Sequence, residues 1–135
     1  MSKLKYPRNE IWERLVYEDL IREEKLKVLF RPASRICDGK KSKCFYLGEE
    51  VVLKVLKKPG DDERGIEPMF TSLVKRVEIQ GLKEVFLSSI KEKDCVGSYP
   101  NVLDEETLRY HLGLVYNKKL TSFEKITIIK LKYLR

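Results

Sequence analysis

Histidine, glutamine and long apolar runs are scarce in this chain. His111 is the only histidine, and three cysteines accompany it, Cys37, Cys44 and Cys95. A zinc site would need all four, and their spacing matches no ligand pattern. Neither a metal nor a cofactor is expected. An odd cysteine count argues against a disulfide framework. One bridge, Cys37–Cys44, remains open for a hyperthermophilic host, where intracellular disulfides occur. No apolar run approaches the roughly 20 residues that cross a bilayer, so no membrane partner is expected. The opening Met-Ser-Lys-Leu-Lys-Tyr-Pro has no apolar centre of the kind a signal peptide needs, which points to the cytoplasm. Gln80 is the only glutamine, and 36% of residues are charged. Many charges with few thermolabile amides form a thermophile-like composition.

What is present suffices for one ordinary core. The 135 residues, 42% of them hydrophobic, fit a single domain over residues 9–135 behind a basic arm at 1–8. Lysine and arginine exceed acids by seven. That excess favours a polyanionic partner and supplies little specificity.

Residues 25–31, Lys-Leu-Lys-Val-Leu-Phe-Arg, alternate. Leu26, Val28 and Phe30 fall on one face of a strand, and Lys25, Lys27, Leu29 and Arg31 on the other. Pro32 ends the pairing. Upstream, Asn9 suits a helix cap and Glu10 and Glu13 suit a first turn, so a helix is predicted to Arg22. Trp12 reads as a core anchor of that helix rather than a base-stacking surface. Downstream, Asp38-Gly39 marks a turn, and Arg35, Lys40, Lys41 and Lys43 crowd the loop.

Residues 44–47 and 50–56 read as strands around a turn at Gly48. Residues 57–68, with two prolines and two glycines, read as a long loop. Residues 69–80 and 82–87 read as strands separated by a bend at Gly81. Ser89 and Glu92 suggest a capping box for a short helix over 88–94. Asp104 caps a helix to Tyr116 with Leu108, Leu112 and Val115 on its buried face. A last strand covers 124–134. Short strands without helical crossovers imply mostly antiparallel pairing, hence an α+β fold with a small barrel-like sheet and flanking helices.

The run Leu20-Ile21-Arg22-Glu23-Glu24-Lys25-Leu26-Lys27-Val28-Leu29-Phe30-Arg31 resembles the ASCH domain of the PUA-like superfamily. Members have a helix, a Gly-x-Lys turn, and a strand ending near an arginine. Lys25 or Lys27 matches the lysine and Arg31 the arginine. Glu23-Glu24 replace the turn glycine, and Leu29 stands where an acidic residue often precedes the arginine. The tail from Gly81 to Lys132 is similar to the family's closing half. The resemblance implies a PUA-like barrel and a nucleic-acid role.

The resulting expectation is an RNA or single-stranded nucleic-acid binding domain. Its basic cleft lies between the first helix, strand 25–31 and loop 32–43. The candidate contacts are Lys25, Lys27, Arg31, Arg35, Lys40, Lys41 and Lys43, Tyr46 as a stacking face, and Lys57 and Lys58 from the neighbouring loop. One alternative is a small hydrolase acting on a modified nucleoside or RNA. It would use Lys25 or Lys27 as base or nucleophile, with Glu78 or Glu84 as carboxylate and Thr71 or Ser72 as hydroxyl. The other is a protein-interaction or accessory module.

Overall fold

The computed structural model describes residues 9–37, 44–58 and 67–135. The basic arm, Lys40, Lys41, Lys43 and most of loop 57–68 lie outside the described residues. Five strands, β1 (Glu10–Glu13), β2 (Val28–Pro32), β3 (Glu50–Leu56), β4 (Phe70–Phe86) and β5 (Lys125–Tyr133), form one sheet in the order β1-β3-β4-β5-β2. The helices are α1 (Glu18–Arg22) and α2 (Glu105–Tyr116). The class is α+β, and the sheet curls into a half-barrel.

Strand β4 organises the curl. Its first half pairs with β3 and its second with β5, both antiparallel, with a bulge between Ile79 and Gly81. Residues 69–80 and 82–87 are therefore one strand rather than two. Gly81 is needed at the bend, because a Cβ there would meet the Lys130 Cβ at 3.2 Å. The bulge bends the strand and raises its twist, which turns the two halves of the sheet toward each other. Directly paired residues share a face. Ile11, Leu53, Val51, Val77, Ile79, Leu131, Ile129 and Leu29 consequently form the inner face, and all are buried. Burying each such aliphatic side chain contributes roughly 1.5–3 kcal/mol.

The outer face differs between the halves. On β2 and β5, Phe30, Ile126 and Ile128 also are buried, so that half is covered on both sides. Leu108 and Leu112 of α2 join the same core. On β1, β3 and β4 the outer face carries Trp12, Lys54 and Val74 in one cross-strand row, with Val74 exposed.

The helix expected from Asn9 to Arg22 is not formed. Residues 10–13 instead pair in parallel with β3, and Asn9 contributes its carbonyl to the Val52 N–H rather than a cap. A 3-10 turn at Leu15–Tyr17 and the short α1 follow. Alternating burial of Ile11 and Glu13 is the period of a strand. Residues 44–47 make a single bridge, Ile36 to Phe45, rather than a strand. The short helix expected over 88–94 is two 3-10 turns, Leu87–Ser89 and Glu92–Cys95. Asp94, not Ser89, supplies the side-chain cap there, accepting from the Lys91 N–H at 2.9 Å.

The helix after Asp104 forms as predicted. Asp104 accepts from the Thr107 N–H at 3.0 Å, and the Thr107 hydroxyl accepts from the Asp104 N–H at 3.0 Å. The turn at Gly48 also forms, with φ +84°. Cys37 and Cys44 are joined by a disulfide, and Cys95 is a buried free thiol.

Candidate functional site

Arg31 lies at the centre of a polar cluster inside the half-barrel. It sits on the inner face of β2, one edge of the sheet, and reaches β1, the opposite edge. Its guanidinium donates to Glu13 Oε2 at 2.5 Å, to the Tyr99 hydroxyl at 2.9 Å, to the Phe30 carbonyl at 3.2 Å and to the Trp12 carbonyl at 3.4 Å. The Tyr99 hydroxyl donates in turn to Glu13 Oε2 at 3.1 Å. The Arg31 side chain is 17% exposed and that of Glu13 only 3%. The pair thus holds together two edge strands that share no backbone ladder. Arg31 is engaged in closing the sheet, which removes it from the predicted cleft as a free cation.

The electrostatics follow from burial. Desolvation alone would lower the Arg31 pKa, but the Tyr99 oxygen and the Glu13 carboxylate outweigh it and hold the guanidinium well above its usual value. Burial, then Glu13, pushes the Tyr99 phenol well above its usual range, so it stays a neutral donor. Tyr99 stacks on His111, centroids 4.7 Å apart, and packs on Tyr17 at 4.6 Å. Burial, with Arg14 and Arg31 nearby, lowers the His111 pKa to about 4. The neutral ring takes the Asn101 amide at 3.2 Å on Nδ1. These groups satisfy one another, an arrangement suited to fixing a fold rather than to meeting a ligand.

The remaining predicted contacts do not converge on one cleft. Lys25 and Lys27 precede β2, while Arg35 follows it, its Nε donating to the Pro32 carbonyl at 2.9 Å. Tyr46, half exposed, precedes β3, and Lys57 and Lys58 follow that strand. Seven residues of strand separate those two positions by about 23 Å. Lys40, Lys41 and Lys43 lie outside the described residues.

Two smaller groupings do form. At the first, the Lys27 carbonyl accepts from the Leu131 N–H at 2.8 Å, and Val28 pairs with Lys130. Lys130 and Lys132 therefore share the Val28 face and Lys25 and Lys27 alternate onto the other, so the four lysines flank the start of β2 from its two faces, all exposed. Lys25 lies 3.6 Å from Glu23, and the other three make no ion pair with a described residue. The nearby Glu24 carboxylate is occupied by Lys75 and Arg135. At the second, the Lys57 N–H donates to the Met69 carbonyl at 2.8 Å, placing Lys57 and Lys58 beside Phe70. Sequence reasoning passed over Lys130 and Lys132, although their two-residue spacing on a strand marks a shared face.

Among the described residues no group of histidine, cysteine and carboxylates is arranged to hold a metal. None of their helices is long and apolar enough to cross a membrane. No protein-family model, curated protein or solved structure matches the chain.

Proposed function

We propose that this is a PUA-like domain that binds nucleic acid, with RNA or another single strand as its ligand. The observation that carries the reading is the lysine-lined edge where β2 begins beside β5, with Lys25 and Lys27 on one face and Lys130 and Lys132 on the other. Three of its four cations have no ion-pair partner among the described residues, on a chain with net charge +7. Each phosphate they neutralise releases condensed counterions, which makes affinity fall steeply with salt. Arg31 has no direct part, since its charge is compensated inside the sheet. Tyr46, half exposed, lies ahead of β3. The hydrolase alternative has no comparable support. Lys25 and Lys27 lie at the surface, and Glu84 pairs with Lys125 at 3.7 Å.

The test titrates labelled single-stranded RNA, duplex RNA and DNA at two salt concentrations. Binding should weaken with salt. Lys27→Ala with Lys130→Ala should weaken it further and reduce the log-log salt slope by about 0.7 per lysine on a single strand. An unchanged slope in that double variant would refute the proposed surface.

A further inference from the structure

The outward side of α2 is apolar at its middle and charged at its ends. Leu108, His111 and Leu112 turn toward the core. Away from them, Glu106, Tyr110 and Leu114 follow one another at four-residue spacing, which keeps them along one side of a helix. Tyr110 is 68% exposed and Leu114 64%, so two large side chains stand uncovered one turn apart.

The charges divide by sign along the axis. Asp104, Glu105 and Glu106 open the helix, and Lys118 and Lys119 follow its end. Asp104 is occupied as the cap, and Glu105 is paired with Arg109. Glu106, Lys118 and Lys119 are exposed and make no ion pair with a described residue. The three acids balance Arg109 and the two lysines, so this strip carries no net charge to repel its like, although the whole chain is at +7.

We propose that the outward side of α2 is a self-association surface, occupied by a second copy of this chain lying antiparallel across a two-fold axis. With the axis level with residue 112, Tyr110 meets Leu114 of the second copy and Glu106 meets its Lys118. Two-fold symmetry makes each of these contacts twice. The charges set the direction, because a parallel pair would place Glu106 against Glu106 and lysine against lysine. One 12-residue helix covers less than the roughly 1,200 Å² of a standard interface, so the dimer is reversible and concentration-dependent. The surface uses none of the lysines at β2 and β5, and the proposal stands apart from the nucleic-acid reading.

The test is sedimentation velocity of the full chain at low salt, from micromolar to millimolar concentration. The parent should shift from monomer toward dimer as concentration rises. Glu106→Lys and Lys118→Glu each set like charges opposite one another twice, and each should weaken association at least about five-fold. Mixed one to one, the two variants restore both opposite-charge pairs and should associate at least as well as the parent. No contact within a single chain produces that recovery. Leu114→Ser should weaken the dimer with Tm kept. A parent that stays monomeric throughout the series would overturn the proposal, as would single variants that associate like the parent or a mixture that fails to recover.

Discussion

Replacing Arg31 by methionine tests the role the structure gives it. The substitution keeps the length of the stem and removes the guanidinium. Glu13 then stays 3% exposed, with only the Tyr99 hydroxyl left to hydrogen-bond it. Removing one partner of a buried ion pair costs about 3–5 kcal/mol. Unfolding entropy of roughly 2.1 cal/mol/K per residue gives about 0.28 kcal/mol/K for this chain, so each kcal/mol shifts Tm by about 3.5 °C. The expected drop is about 10–18 °C, followed by circular dichroism. Because the pair is interior, 1 M salt should not abolish the difference. Combining Arg31→Met with Glu13→Leu and Tyr99→Phe removes the side-chain groups left unpaired and should recover much of the loss. A cation that only met phosphate at the surface would behave oppositely, with binding lost and Tm kept. An Arg31→Met protein melting within about 3 °C of the parent would refute the sheet-closing role.

Two further outcomes follow from buried groups. His111 has a folded pKa of about 4 against an ordinary 6.5, so the unfolded chain binds its proton first. Stability should be fully present above pH 6.5 and decline toward pH 4, by at most about 3 kcal/mol. Melts across that range should show the decline, and His111→Gln should flatten it; equal slopes in both proteins would remove His111 as the cause. The Cys37–Cys44 bridge closes a short loop, and chain-entropy reasoning gives it about 2.5 kcal/mol. Thiol titration of the unfolded chain should find one free cysteine before reduction and three after, and urea melts should show the reduced protein less stable; three thiols from the outset would mean no bridge forms. Burial raises the Cys95 pKa to about 11, so alkylation of the native chain should be slow and should accelerate at the urea midpoint.

The parts of the fold that were legible in the sequence are those fixed by local chemistry. Asp104 and Thr107 are three residues apart, and their reciprocal cap starts α2 where the sequence places it. Gly48 and the alternating Glu50–Leu56 define a turn and a strand without help from distant residues. The turn before Lys25 is set by the backbone at Glu24. Glu24 adopts φ +59°, the left-handed conformation that glycine adopts freely. The Lys25 N–H returns to the Leu20 carbonyl at 2.8 Å to end α1, and Glu24 is held there by Lys75 and Arg135.

What was not legible depends on one pairing across the whole sheet. Glu10 and Glu13 in isolation read as solvent-facing acids in the first turn of a helix. They suit a helix only while Glu13 is assumed to face water. Once Arg31, eighteen residues away, accounts for that carboxylate, Glu13 becomes an inward residue, and Ile11 and Glu13 alternate with Glu10 and Trp12 as a strand. The same step turns Trp12 outward, from a supposed core anchor to a partly exposed ring against Phe70. It also withdraws Arg31 from the surface. Helix against strand, Trp12 inward against outward and Arg31 free against bound are therefore one question. The melting behaviour of Arg31→Met decides it.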